Sequence, residues 1–145
     1  YLKMPEKTAE VIELIDGYRW YRTGDKGHLD EDGFLTIVDR YSRFAKIGGE
    51  MISLTTVEEE ILDACNDKDL EIAATCLPDH RKGEKIILLS TKNIDNSELK
   101  KILSESKINP LYFPSLVLIV DEIPKLGSGK TDFGATKKIA LVNDQ

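Results

Sequence analysis

The sequence predicts an α+β domain. Three observations carry that expectation. Helical and strand-like stretches mix along the chain without a repeated strand–helix–strand unit, which argues against a parallel α/β sheet. Short β-prone stretches close on Gly- and Asp-rich turns, as antiparallel hairpins do. An unbroken apolar run at residues 116–120 reads as a buried strand, and it leads into a glycine-rich loop at residues 124–130. The 145 residues suffice for one domain, or for one domain with part of another.

Pro5 can open a helix, because its missing N–H is not needed at the first position. Val11, Ile12 and Ile15 give that helix an apolar face, and Asp16-Gly17 ends it. Residues 18–25 are aromatic and β-prone and close on Gly24-Asp25. Residues 27–29 and 34–38 flank Asp30-Glu31-Asp32-Gly33, a hairpin with Gly33 at the turn. A second hairpin joins 44–47 to 51–52 through Gly48-Gly49-Glu50. Thr55 or Thr56 can cap the next helix, with Glu58 and Glu59 at capping-box distance. Val57, Ile61, Leu62 and Cys65 share its apolar face, and the Glu58-Glu59-Glu60 run complements the dipole at its start.

Residues 70–77 and 85–91 read as partner strands across a turn at 78–83. Asp95 can cap a helix that presents Leu99, Ile102 and Leu103, and residues 109–115, with two prolines, are irregular. A last helix at 132–142 presents Phe133, Ile139 and Leu141 or Val142. A boundary is expected near residues 39–42. The portion before it, residues 1–39, has little core of its own, whereas residues 40–145 hold enough helices and strands to close one.

The chain is 41% hydrophobic and 32% charged, as a globular protein is, and its net charge of −6 argues against nonspecific nucleic-acid binding. The acid is uneven. Residues 125–138 hold Lys125, Lys130, Lys137 and Lys138 against Asp132 alone, a positive field suited to an anionic ligand. Cys65 and Cys76 have no metal or redox spacing and read as small buried residues. His28 and His80 read as surface residues, and no metal-ligand pattern is present. No apolar run approaches membrane-spanning length. The chain opens at Tyr1 inside a pattern and without an initiator Met, as an excised piece of a longer protein would.

The glycine-rich loop places Lys130 on a conformationally free stretch, where Gly127 and Gly129 admit backbone angles closed to other residues. A compact ammonium there can meet a phosphate or a developing oxyanion. Gly129-Lys130-Thr131 also matches the end of the phosphate-cradling pattern G-x-x-x-x-G-K-[ST]. The first glycine of that pattern would fall at Pro124, which has no N–H to offer, so this reading is rejected. Two further stations lie upstream. Asp25 sits in a Gly-Asp turn, where a carboxylate can accept hydrogen bonds from a ribose diol. Arg40 follows a strand and carries a fork suited to phosphate or carboxylate. Taken singly, each also fits an ordinary surface residue, and Asp39-Arg40 fits a surface ion pair.

With these stations in order, the sequence resembles the acyl-adenylate-forming enzymes, which include acyl-CoA and acyl-carrier-protein ligases, peptide-synthetase adenylation domains and luciferase. Tyr21-Arg22-Thr23-Gly24-Asp25 resembles the family's ribose motif. Asp39-Arg40 through Lys46, Gly49 and Val57-Glu58 resembles its hinge motif and the glycine loop after it. Pro124-Lys125 through Gly129-Lys130 resembles its catalytic-lysine motif. The resemblance covers nearly the whole chain and implies a small C-terminal lid domain, an antiparallel hairpin plus a mixed sheet flanked by helices. Residues 1–39 would then be the tail of the large N-terminal adenylation domain, and residues 40–145 the lid.

It further implies roles. Asp25 and Arg40 would bind the nucleotide. Lys130 would bridge the acyl carboxylate and the α-phosphate of ATP, with magnesium held mainly by the missing N-terminal part. Ser42 takes the hinge position, where Asp or Lys is usual. Lys46, Gly48, Gly49 and Glu50 would line the path of a pantetheine thiol in the second half-reaction. The residues after Lys130 depart from the family's habit, with Thr131-Asp132-Phe133 in place of an apolar and then a basic residue.

That departure, with residues 43–51, resembles one subgroup, the bacterial bifunctional 2-acylglycerophosphoethanolamine acyltransferase/acyl-carrier-protein synthetases. The implied partners are a fatty acid, holo acyl carrier protein or CoA, and the N-terminal adenylation domain, and the implied task is reacylation of a lysophospholipid. The implied location is the cytoplasmic side, with the longer parent at the inner membrane through its missing part. An ordinary acyl-CoA synthetase domain is the alternative within the family. Outside it, Arg81, Lys82, Lys85, Lys100, Lys101 and Lys107 suit a non-enzymatic module that grips an acidic carrier protein. The piece by itself is expected to be inactive, since neither a phosphate-gripping loop nor an acyl pocket lies in these residues.

Overall fold

The computed structural model describes residues 1–144, which divide into two compact units. The first is Tyr1–Ser42 and the second begins at Arg43. Arg40 therefore stays with the first unit, although the expected boundary had placed it in the second.

The first unit opens with helix α1 (Pro5–Val11), which has Pro5 at its start. The expected helix stops earlier than the apolar pattern suggested. Ile12–Ile15 forms strand β1, paired antiparallel with β2 (Tyr18–Tyr21) through a two-residue Asp16-Gly17 turn. Both turn residues have positive φ, 51° and 82°, the geometry an Asp-Gly pair favours in a tight hairpin. Local turn chemistry thus overrides the helical spacing of Val11, Ile12 and Ile15. The second pair is β3 (Asp25–Leu29) with β4 (Leu35–Arg40), joined at Gly33 as expected. Asp30 fixes that turn, its Oδ1 accepting from the N–H of Asp32 and of Phe34.

The second unit is built on a mixed five-stranded sheet. Strands β5 (Phe44–Ile47) and β6 (Glu50–Ser53) form a hairpin whose turn is Gly48-Gly49, both at positive φ. Ser53, rather than Thr55 or Thr56, caps helix α2 (Leu54–Cys65), its side chain accepting from the Thr56 N–H. Strand β7 (Ile72–Asp79) pairs antiparallel with β8 (Gly83–Ser90) over the full length of both. Helix α3 (Asn96–Glu105) is capped by Asp95 as expected. Strand β9 (Leu116–Ile119) runs parallel to β8 and is only half buried, with Ile119 50% exposed, so the apolar run overstated its burial. Helix α4 (Phe133–Asn143) closes the described chain.

Alternate residues of β7 and β8 serve two cores, the period-two consequence of a sheet covered on both faces. Ala74, Cys76, Ile86 and Leu88 pack with Val57 and Ile61 of α2 and Leu99 and Leu103 of α3. Ala73, Leu77, Ile87 and Leu89 pack with Ile123, which precedes the glycine-rich loop, and with Ala140 of α4. Helix α4 buries Thr136 and Ala140; of the face read from the sequence, Ile139 packs against the core, while Phe133, Leu141 and Val142 stay exposed. Its apolar residues are too irregularly spaced for one stripe. Cys76 is buried, but Cys65 is only partly so; both thiols are free, and burial pushes both above their ordinary value. His28 and His80 are exposed. The fold is thus α+β, with an antiparallel hairpin and a mixed sheet flanked by helices.

Candidate functional site

In the first unit, pairing brings Asp25 and Arg40 together. They occupy paired positions of β3 and β4. Arg40 Nε donates to Asp25 Oδ1 at 3.1 Å, and Arg40 Nη2 donates to the Thr23 carbonyl at 2.9 Å. The Tyr41 N–H donates to the Gly24 carbonyl, which fixes the end of β4 against the turn before β3. Asp25 opens β3 rather than ending the aromatic strand. Its second carboxylate oxygen has no protein partner among the described residues, so it can accept from a diol. The pair is partly exposed, 33% for the Asp25 side chain and 64% for Arg40, which leaves both accessible to solvent. Arg40, held at one edge by Asp25 and Thr23, keeps donors for a phosphate or ribose oxygen. These residues fit a nucleotide.

Ser42 lies exposed in the short 3-10 turn Tyr41–Arg43, and burial begins abruptly at Arg43.

In the second unit, Lys46 projects from β5 beside the Gly48-Gly49 turn, and Glu50 opens β6 rather than lying in the turn. The start of β8 braces this hairpin. Glu84 Oε2 accepts from the Lys46 N–H at 2.5 Å, and the Gly48 N–H donates to the Lys82 carbonyl at 2.8 Å. At Gly83, φ is +86° and an added Cβ would come within 3.1 Å of the Lys46 carbonyl oxygen, so a side chain there would press on the hairpin.

Lys130 belongs to a tight strap. Lys125 and Thr131 form a β-bridge at its base. The Leu126 N–H donates to the Lys130 carbonyl at 2.7 Å and the Gly129 N–H to the Leu126 carbonyl at 2.8 Å. The Asp132 N–H then donates to the Pro124 carbonyl. Gly129 needs its positive φ of 81°, whereas Gly127 does not adopt one. Lys125 Nζ pairs with Glu71 at 2.8 Å, while the exposed Lys130 ammonium has no partner among the described residues. The Asp132 side chain caps α4 through the Ala135 N–H. The residues that depart from the expected pattern after Lys130 thus close the strap and start the helix.

Sequence reasoning gave no individual role to Arg43 or Glu84 and did not foresee the partners of Glu58 and Phe133. Arg43 Nη2 pairs with Glu58 Oε2 at 2.6 Å, and Glu58 Oε1 accepts from the Ala74 N–H at 2.6 Å. Glu58 had been read as helix-start charge, but it lies beyond the first turn of α2 and serves β7 instead. No spacing rule would have flagged these partners.

No protein-family model matches the chain. It is 33% identical over 126 residues to a 2-succinylbenzoate–CoA ligase of Listeria monocytogenes, spanning 86% of this chain and 26% of the ligase. Its homologues are AMP-binding acyl- and aryl-CoA ligases of the adenylate-forming superfamily. A long-chain-fatty-acid–CoA ligase of Yersinia pestis is 32% identical over 132 residues, 90% of this chain and 22% of that ligase. ATP-bound MatB from Rhodopseudomonas palustris superposes with a TM-score of 0.74 at 24% identity, over 96% of this chain and 27% of that one. That likeness carries the fold alone, a small α+β arrangement of antiparallel hairpins and a mixed sheet flanked by helices. The chain spans about a quarter of the length of the CoA ligases it matches.

Among the described residues, no group of three or more His, Cys, Asp and Glu side chains could hold a metal ion. No described helix is long and apolar enough to cross a membrane.

Proposed function

We propose that the chain is the lysine-bearing C-terminal part of an ATP-dependent ligase that activates a carboxylic acid as its acyl-adenylate. The observation that carries this reading is the unpartnered Lys130 ammonium on a strap closed at its base by the Lys125–Thr131 bridge. ATP would supply an electrophilic α-phosphorus. Asp25 accepts hydrogen bonds from the ribose hydroxyls and Arg40 donates to a ribose or phosphate oxygen. Lys130 stabilises charge as a carboxylate oxygen attacks the α-phosphorus and pyrophosphate leaves. The strap then withdraws by a swivel near Ser42, and the Gly48-Gly49 turn lines the path of a thiol. The sulfur attacks the acyl carbonyl and AMP departs.

The finer reading is a fatty acid passed to the pantetheine thiol of acyl carrier protein for lysophospholipid reacylation. It is supported by the likeness of residues 43–51 to that subgroup. A second reading, CoA as acceptor, is favoured by relatives that are themselves CoA ligases. The test is made on the full-length parent protein. Fatty-acid-dependent ATP–pyrophosphate exchange is expected, followed by acyl transfer to holo carrier protein. Transfer to CoA alone selects the second reading, and absence of exchange with any carboxylic acid contradicts both.

A further inference from the structure

Arg43 is the first buried residue after Ser42, with 3% of its surface exposed. Its guanidinium reaches three elements of the second unit. Nη1 donates to the Ala74 carbonyl on β7 at 2.8 Å. Nη2 donates to Glu58 Oε2 on α2 at 2.6 Å and to Thr55 Oγ1 at 3.4 Å. The guanidinium carbon lies 3.8 Å from the centroid of the Phe133 ring, at the first position of α4.

Two features set this arrangement apart from ordinary core packing. The buried Nε–H has no partner among the described residues, so burying this cation is costly, and an apolar side chain would fill the space without that cost. Phe133 is 41% exposed, so core burial does not explain the aromatic; its ring is placed where a guanidinium plane can stack on it. Phe133 follows directly on Asp132, whose N–H donates to the Pro124 carbonyl at the base of the lysine strap. Arg43 follows directly on Ser42. The stack therefore joins the residue after the swivel to the residue that starts the helix behind Lys130.

We propose that Arg43 and Phe133 form a clasp that carries rotation near Ser42 to the lysine strap, which makes both of them positioning residues for Lys130 in adenylation. The inference rests on the reading of Lys130 given above. Anchored to Ala74 and Glu58, the guanidinium gives the strap a fixed reference, and the planar stack lets the start of α4 follow without slipping. Lysine in place of Arg43 would keep the charge but lose both the fork and the plane.

The test uses the full-length enzyme with Phe133→Leu, Phe133→Tyr, Arg43→Lys and Lys130→Ala. Phe133→Leu is expected to lower the kcat of ATP–pyrophosphate exchange on the order of tenfold to a hundredfold, as a small misplacement of a charge-stabilising group does. The KM for ATP, the melting temperature and thiol transfer from preformed acyl-adenylate stay unchanged, and Phe133→Tyr, which keeps the ring, restores exchange. Arg43→Lys gives the same pattern in exchange. Unchanged exchange in Phe133→Leu, equal loss in both half-reactions, or no rescue by tyrosine would overturn the clasp. If Lys130→Ala abolishes exchange while Phe133→Leu leaves it intact, only the clasp fails. If Lys130→Ala leaves exchange intact, the underlying reading of Lys130 fails and the clasp with it.

Discussion

Asp25 and Arg40 face each other at the first position of β3 and the last of β4, and Arg40 Nε donates to Asp25 Oδ1 over 3.1 Å. Each thus orients the other, and Thr23 contributes a carbonyl to the same guanidinium. In the full-length enzyme, Asp25→Ala removes the acceptor proposed for the ribose and releases Arg40 from its carboxylate. Hydrogen bonds to a charged group contribute about 1.5–3 kcal/mol, so the KM for ATP is expected to rise roughly tenfold to a hundredfold. Initial-rate kinetics with ATP as the varied substrate check this, and an unchanged KM would exclude Asp25 from the nucleotide site.

The Arg43–Glu58 pair makes a stability prediction. Glu58→Ala leaves the buried Arg43 cation without its carboxylate and the Ala74 N–H without its acceptor. Breaking a buried pair from one side typically costs about 3–5 kcal/mol. Denaturant unfolding of this chain should show a loss of that order in the second unit. Glu58→Gln, which keeps an acceptor oxygen, should cost less.

Gly49 adopts a φ of +92°, and a Cβ built there meets nothing within 4 Å. The penalty of Gly49→Val is therefore one of backbone conformation, roughly 1–3 kcal/mol for a residue forced into a sparsely populated region. In the full-length enzyme this change should slow thiol transfer from preformed acyl-adenylate more than it slows ATP–pyrophosphate exchange. The two half-reactions measured separately decide the matter.

Two of the carboxylates with lowered values contribute to an acid limit. Asp95 is held below its ordinary value of 3.8 by the Ser97 hydroxyl and N–H, and Asp79 by the N–H groups of Arg81 and Lys82. A carboxyl with a lowered value in the folded chain adds stability above its unfolded value, and this is lost as pH falls through the folded value. Stability should hold above about pH 5 and decline below about pH 4. Asp79→Asn with Asp95→Asn should flatten that decline, as followed by circular dichroism during acid titration.

The α+β class, the Gly33 and Gly48-Gly49 hairpins and the Asp95 cap were legible in the sequence because each rests on local chemistry. A turn glycine or a capping carboxylate is specified by its immediate neighbours. The end of α1 was misread because Val11, Ile12 and Ile15 keep helical spacing, and Asp16-Gly17 can end a helix as readily as it turns a hairpin. Ser53 was missed as the cap of α2 because Thr55 and Thr56 compete for the role in sequence. The motif residues Asp25, Arg40 and Lys130 could be singled out from residue type and spacing. Their partners were less visible. Asp25 meets Arg40 through strand register, and Arg43 meets Glu58, Ala74 and Phe133 across the packed sheet and helices, at separations no short pattern encodes.

The most direct measurement is the effect of Lys130→Ala on each half-reaction of the full-length enzyme. Loss of a group that stabilises transition-state charge should lower acid-dependent ATP–pyrophosphate exchange by about 10²–10³-fold. Thiol transfer from preformed acyl-adenylate should continue at the unmodified rate. Equal loss in both half-reactions, or exchange that persists without the ammonium, would contradict the role proposed for Lys130.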